Sequence, residues 1–239
     1  QELRERAERA EARLDLAAGP DDAMLLEVLG EETTRVLTSA REAAGEIRAK
    51  AEAAYAADLA FVKEIGEVNS TVRTEEQSLI ARFWYEDSPI GWNRIANTVL
   101  RQEPVGLWTS ARILALTNFA MADGFIAGFE AKYDFRFWRP VTAIRMAASD
   151  GNRFTEADEN WSSYLITPPV PDYPSTHTVL GAAAAHVLIH FFGDRTPYST
   201  TSVTEPGAVR EFRGFSDAAI ENGASRVYAG IHFVDAVRA

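Results

Sequence analysis

Three short blocks of this 239-residue chain carry side chains that suit a small tetrahedral oxoanion. In chain order they are Lys132 with Arg139-Pro140, Pro174-Ser175-Thr176-His177, and Ser225-Arg226 with His232. A guanidinium group donates paired hydrogen bonds to phosphate-like oxygens, and a lysine adds a point charge. A helix that begins near Ser175 would add backbone N–H groups and a favourable dipole. Of the two imidazoles, one can bond to the central atom while the other transfers protons.

The sequence around these blocks predicts an all-α domain, because its apolar residues recur at helical spacing. A capping box formed by Thr74 and Gln77 predicts the start of one helix. The predicted helices run from there to about Glu86, from Ser88 to about Gln102, from Pro104 to about Lys132, from Ser175 to about Phe192, from Ser216 over a short stretch, and from Ala224-Ser225 to the end. Residues 149–173 and 196–206 are predicted loops, and no strand is predicted.

Composition excludes several classes of function. The formal net charge is −11, which argues against broad binding of nucleic acid. The chain has no cysteine, so disulfides, zinc thiolate sites and cysteine nucleophiles are excluded. We find no uninterrupted apolar run near the roughly 18–20 residues of a membrane span, so none is predicted. The pair His186 and His190 has helical spacing but no further ligand, so a metal site is not predicted there.

Residues 1–57 differ from the rest in their heptad pattern. Apolar and small residues repeat among Glu and Arg, a break falls at Gly19-Pro20, and the repeat resumes from Leu29 to Ala54. This pattern favours a coiled-coil-like helical segment that could self-associate. An amphipathic helix that packs on the following domain explains the same pattern. The sequence does not decide between the two.

Taken together and in order, the three blocks resemble the type 2 phosphatidic acid phosphatase superfamily. This superfamily includes bacterial class A acid phosphatases and vanadium-dependent haloperoxidases. The stretches that resemble its soluble bacterial haloperoxidase branch are Thr74–Gln77, Gly91–Ala96, Phe137–Arg145 and Tyr228–Phe233. The resemblance covers residues 58–239 and implies a helical bundle, which we expect to be incomplete at its C-terminal end. Residues 29–53 are similar to the coiled coils of actinobacterial DivIVA-like proteins.

The resemblance implies a role for each residue of the blocks. Vanadate, or phosphate in the same site, would be held by Lys132, Arg139, Ser175, Thr176 and Arg226. His232 would bond directly to vanadium and thus be the metal ligand. In a phosphatase, His232 would be the nucleophile that becomes phosphohistidine. In either class, His177 would be the catalytic acid/base.

Three positions depart from the family pattern. Thr176 stands where glycine is usual, and its Cβ is expected to crowd the anion. The phosphatases have Asp four residues after the second histidine, whereas this chain has Ala236 there. Asp235, three residues after His232, is therefore the predicted catalytic carboxylate that orients it. Val170 replaces an aromatic residue or histidine on the halide side.

Three functions follow as hypotheses. The leading one is a vanadate-dependent haloperoxidase acting on hydrogen peroxide, halide and a small organic acceptor. The second is an acid phosphatase that hydrolyses a phosphomonoester at the same site. The third is a non-catalytic assembly protein that joins through its N-terminal helices and carries a degenerate phosphatase-like domain. The cellular location is open, and export from a bacterium is one expectation from the family.

Overall fold

The computed structural model describes residues 22–103 and 105–238, with side chains from residue 35 onward. Its α-helices, in chain order, are α1 (Asp22–Ile65), α2 (Glu75–Phe83), α3 (Ser88–Gln102), α4 (Leu107–Phe135), α5 (Pro140–Arg145), α6 (Thr176–Phe192), α7 (Phe215–Tyr228) and α8 (Val234–Val237). A 3-10 turn, Ala147–Ser149, follows α5. The mainly helical fold confirms the predicted fold class.

The chain divides into two compact units, with the boundary between Ala53 and Ala54. The described part of the first unit is helical, and Val36 and Ile47 on it are exposed. The predicted break at Gly19-Pro20 lies outside the described residues. The domain division at residue 57, the coiled coil and the DivIVA-like similarity all stay predictions.

In the second unit, one apolar core lies between α2, α3, α4, α6 and α7. Trp92 and Phe83 are its largest fully buried side chains. A second cluster joins the last turns of α1 to α5 and to the segment after α7, with Trp161 at its centre. These two clusters hold together the segments that carry the three sequence blocks, because each block lies at the end of a packed helix.

Helix boundaries follow the local sequence at several predicted places. Gln77 N–H donates to Thr74 Oγ1 at 3.2 Å and Thr74 N–H donates to Gln77 Oε1 at 2.9 Å, which confirms the capping box. The helix it opens ends at Phe83. Pro140 is the first residue of α5. A backbone N–H at this position has no acceptor within the helix, so proline loses no helical hydrogen bond there. The predicted helix start at Pro104 lies outside the described residues, and α4 begins at Leu107.

The prediction that no strand would occur is wrong. β1 (Tyr198–Thr201) pairs antiparallel with β2 (Val209–Phe212), in a register that sets Tyr198 opposite Phe212. Tyr198 and Thr200 point inward while their neighbours are exposed, so β1 has the alternation of a half-buried strand. Tyr198 stacks on Phe215 with ring centroids 5.4 Å apart. This packing stabilises a hairpin too short for its alternation to stand out in the sequence.

The C-terminal region was also predicted wrongly, as two helices with His232 inside the second. A single helix, α7, covers residues 215–228, and Gly230 then turns the chain with a φ of 74°. A side chain at this glycine would collide with the backbone of Gly66. Because the helix ends before it, His232 lies in a turn rather than on a helix face.

One stretch of the described residues, Leu107–Arg145, passes the length and composition test for a membrane span. Only about a fifth of its most apolar part is buried within the described structure. The stretch is not an uninterrupted apolar run, because Arg112, Asp123 and Glu130 lie within it. Length and composition alone do not place it in a bilayer, since core helices of water-soluble proteins pass the same test.

Candidate active site

Lys132 lies in the last turn of α4 and is completely buried. Its Nζ donates to the carbonyl oxygens of Pro171 and Asp172 at 2.7 and 2.9 Å. These two bonds join the first sequence block to the segment that leads into the second. The ammonium group has three donors, so one remains for a ligand.

Arg139 caps the N-terminus of α5 and is also buried. Its Nε donates to Val170 O at 2.8 Å, and its Nη1 donates to Ile231 O at 2.6 Å. The same Nη1 lies 2.8 Å from His232 Nε2. Arg139 therefore connects the first block to the third and to the segment that leads into the second.

Arg226 lies in the last turn of α7 with its guanidinium group buried. Its Nη1 donates to Trp84 O at 3.2 Å, and the group lies 5.6 Å from the centroid of the Tyr85 ring. Its Nε is buried and has no hydrogen-bond partner within the described structure. A buried donor without a partner is unfavourable, and an oxoanion bound beside it would satisfy it.

His232 lies beside Asp172, a residue that the sequence analysis did not select. Asp172 Oδ1 is 2.9 Å from His232 Nδ1 and 3.8 Å from Arg139 Nη1, and the Asp172 side chain is fully buried. The His232–Asp172 pair has the distance of a hydrogen bond but not its alignment, since both atoms count as lacking a hydrogen-bond partner. It is a close polar contact between a buried carboxyl group and a buried imidazole. A carboxylate set between prolines just before Ser175 was the available sequence signal.

The second block forms the start of α6, as predicted. Ser175 is the N-cap, and its Oγ accepts from Thr178 N–H at 3.4 Å. Its own N–H donates to Ala236 O at 2.8 Å. Two residues further on, His177 Nε2 lies 3.0 Å from Glu86 O. Because a carbonyl only accepts, this nitrogen carries the proton and Nδ1 is left as an acceptor.

Thr176 is the first residue of α6 and is half-buried. Its φ is negative, since Arg136 is the one described non-glycine residue with a positive φ. The backbone at this position therefore does not itself require glycine. Whether the Cβ of Thr176 crowds a bound anion stays a prediction.

Asp235 is not brought to His232, so its predicted role needs correction. Its side chain is 84% exposed and lies 3.7 Å from Arg238 in an ion pair. The prediction placed both residues on one helix, but the turn at Gly230 separates His232 from α7 and α8 begins only at Val234. The carboxylate that reaches His232 belongs instead to Asp172.

Burial and mutual repulsion shift the pKa values of the cluster. Burial, then the charge of Arg139, lowers the pKa of Lys132 to about 7, and the same two causes lower that of Arg226 to about 9. Burial lowers the pKa of Arg139 to about 10. Burial raises that of Asp172 to about 7, against the charge of Arg139. Cations packed this closely around one carboxyl group repel one another, so an anion bound among them would be stabilised.

Both histidines are held in the neutral form. Burial, followed by the charge of Arg226, lowers the pKa of His177 to about 3. Burial, followed by the charge of Arg139, lowers the pKa of His232 well below its ordinary value. A neutral imidazole can accept a proton or give its lone pair to another atom.

The structure thus brings together Lys132, Arg139, His177, Arg226 and His232, which the sequence selected from distant blocks, and Ser175 stands two residues before His177 at the start of α6. The unpartnered Arg226 Nε and the neutral imidazoles fit an oxoanion such as vanadate or phosphate. His186 and His190 lie on α6 outside this cluster, and no group of three or more potential metal-ligating side chains occurs in the part of the chain that the structure describes.

Comparisons with known proteins show the family to which this fold belongs. The family model of the VCPO second helical-bundle domain matches residues 112–239, more than half of the chain. The vanadium chloroperoxidase of Curvularia inaequalis is 26% identical over 229 residues, covering 70% of this chain and 37% of that protein. The chain belongs to this family of vanadium haloperoxidase helical domains.

Solved structures support the same fold. The crystal structure of a bacterial vanadium-dependent iodoperoxidase matches with a TM-score of 0.66 and 31% identity, covering 76% of this chain and 44% of that one. The apo form of a bacterial vanadium-dependent chloroperoxidase matches with a TM-score of 0.61 and 24% identity, over 77% of this chain and 44% of that one, and shows the fold alone. The chain spans less than half the length of each of these relatives.

Proposed function

We propose that this domain binds vanadate and acts in a haloperoxidase that oxidises halide with hydrogen peroxide and passes the product to a small organic acceptor. The observation that carries the proposal is the unpartnered, buried Arg226 Nε in a cluster with Lys132, Arg139 and two neutral histidines. Family membership supports vanadate as the oxoanion.

Each residue has a task that its position allows. Lys132, Arg139 and Arg226 would neutralise the oxygens of the anion, and Ser175 would add a hydroxyl donor. His232 Nε2 would be the nitrogen that ligates vanadium. Bound vanadate would supply a Lewis-acidic centre that activates hydrogen peroxide toward halide. His177, neutral and with Nδ1 free to accept, would take up and return a proton.

An equilibrium titration of the purified protein with orthovanadate tests the proposal. Saturable binding is expected, and His232→Ala should abolish tight binding. The matched control is His190→Ala, because His190 is an exposed histidine of α6 that lies outside the cluster. Absence of saturable binding, or equal binding by His232→Ala, would contradict the proposal.

Activity assays then separate the two enzyme classes that share this site. Bromination with hydrogen peroxide in the vanadate-loaded protein supports the haloperoxidase. Turnover of a phosphomonoester without bromination would identify an acid phosphatase with His232 as nucleophile. Loss of both activities together with failure to bind either anion would leave the non-catalytic assembly protein.

A further inference from the structure

The contact between Arg139 and His232 determines which nitrogen of His232 bears the proton. A guanidinium group can donate hydrogen bonds but cannot accept them. Arg139 Nη1 lies 2.8 Å from His232 Nε2, so Nε2 must be the unprotonated acceptor. The neutral ring therefore carries its proton on Nδ1, the nitrogen 2.9 Å from Asp172 Oδ1.

Asp172, which lies just before the second block, contacts the segments of the first and third blocks. Its backbone carbonyl accepts from Lys132 Nζ at 2.9 Å, and its N–H donates to Phe137 O at 2.8 Å. Its Oδ2 accepts from Phe233 N–H at 3.4 Å. These contacts orient the carboxyl group so that Oδ1 is the oxygen that faces His232.

We propose that Asp172 is the positioning residue for His232, holding Nδ1 protonated and turning the lone pair of Nε2 toward the oxoanion. The inference deepens the proposed function and relies on it for the identity of the anion. Asp172 acts through His232 and does not itself touch the anion. Residues that hold the far nitrogen of a ligating histidine fix its tautomer and orientation in this way.

The first test uses the unchanged protein with ¹⁵N-labelled histidine and no added anion. NMR chemical shifts distinguish a protonated ring nitrogen from an unprotonated one. We expect His232 to show a protonated Nδ1 and an unprotonated Nε2. The opposite tautomer would overturn the proposal without any variant having to fold.

The second test is Asp172→Asn. Because Phe233 N–H needs an acceptor at the Oδ2 position, the amide oxygen should take that place. The NH₂ group then faces His232 Nδ1 and donates to it, which moves the proton to Nε2 and displaces the contact of Nε2 with Arg139 Nη1. We expect the tautomer to reverse and orthovanadate to bind roughly 10- to 100-fold more weakly.

The matched control is Asp235→Asn, the same chemical change at an exposed site three residues from His232. It should leave both the tautomer and the affinity unchanged. An effect of Asp235→Asn equal to that of Asp172→Asn would assign the positioning role to Asp235 and overturn the proposal.

A double variant separates positioning from general disruption. If Asp172 acts through His232, adding Asp172→Asn to His232→Ala should weaken residual orthovanadate binding no further. Additive losses would contradict the proposal. If the protein binds orthovanadate and Asp172→Asn does not weaken that binding, the positioning role of Asp172 is wrong and the proposed function stands. If Asp172→Asn reverses the tautomer but the protein binds no orthovanadate, the positioning role stands and the proposed function is wrong.

Discussion

Arg139 and His232 contact each other directly, with Nη1 of the guanidinium group 2.8 Å from the imidazole Nε2. The two residues were selected from separate sequence blocks, and both are buried. An oxoanion that uses both groups must replace this contact. Until then, each group holds the other in place.

Replacing Arg139 by Lys should weaken oxoanion binding even though the charge is kept. The guanidinium group spans Val170 O, Ile231 O and His232 Nε2, and a single ammonium group cannot reach all three. We expect the dissociation constant for orthovanadate to rise about 30-fold, corresponding to about 2 kcal/mol. Isothermal titration calorimetry measures this change.

The control for that substitution is Arg145→Lys in the same helix. Arg145 Nε donates to Trp161 O at 2.7 Å, away from the cluster. Orthovanadate affinity should be unchanged in this variant. Equal losses of orthovanadate affinity in the two variants would show that the affinity depends on the integrity of helix α5 rather than on the contacts of Arg139.

The depressed pKa of Lys132 predicts how stability depends on pH in the absence of an anion. Burial lowers this pKa from 10.5 to about 7 in the folded protein. Between those values the unfolded chain binds more protons than the folded one, so stability should rise as pH increases from about 7 toward 10. Urea unfolding at pH 7, 8 and 9 measures the slope.

Lys132→Met is the companion variant because it removes the titrating group. The rise in stability over this range should be smaller in Lys132→Met than in the unchanged protein. The variant should also lose the stabilisation that added phosphate gives to the folded state. Identical slopes in the two proteins would show that another group is responsible.

The ion pair between buried Glu86 and half-buried Arg94 supports the acceptor of His177, which is the backbone carbonyl of Glu86. Both Glu86 oxygens contact the guanidinium group, at 2.7 and 2.8 Å, and Oε2 also accepts from Val203 N–H at 3.1 Å. Arg94→Met would leave a buried carboxylate unpaired. We expect a loss of about 3–5 kcal/mol in the free energy of unfolding, measured by urea denaturation.

Two comparisons test the cause of that loss. Glu86→Gln combined with Arg94→Met should lose less than Arg94→Met alone, because no buried charge remains. Arg213→Met removes an exposed arginine that lies 3.5 Å from Asp217, and should produce no measurable change. A double variant that is less stable than the single one would argue against the unpaired charge as the cause.

Much of the site could be predicted because its chemistry lies in short local patterns. Arg139-Pro140 begins a helix for a local steric reason, and Ser175 caps one through its own hydroxyl. The pairing of Asp172 with His232 could not be predicted in this way, because it depends on how two distant segments pack. Spacing alone therefore favoured Asp235, the nearest acid in sequence.

The region after α7 also shows that local sequence patterns could be predicted, whereas contacts between distant segments could not. A glycine just beyond a run of helical residues commonly ends a helix, and Gly230 does so here with a positive φ. That local pattern was present in the sequence. The close approach of Gly66, which leaves no room for a side chain at Gly230, arises only in the folded structure.

The last prediction concerns Thr176, where the family usually has glycine. The residue begins α6 with a negative φ, so a side chain affects the site by occupying space rather than by straining the backbone. If its Cβ crowds the anion, Thr176→Gly should bind orthovanadate several-fold more tightly, while losing up to about 1 kcal/mol of stability. Thr176→Ala keeps the Cβ and removes only the hydroxyl and methyl groups, so it should gain little. Equal gains in both variants would assign the crowding to those outer atoms, and no gain in either would show that the amide of Thr176 already lies clear of the anion.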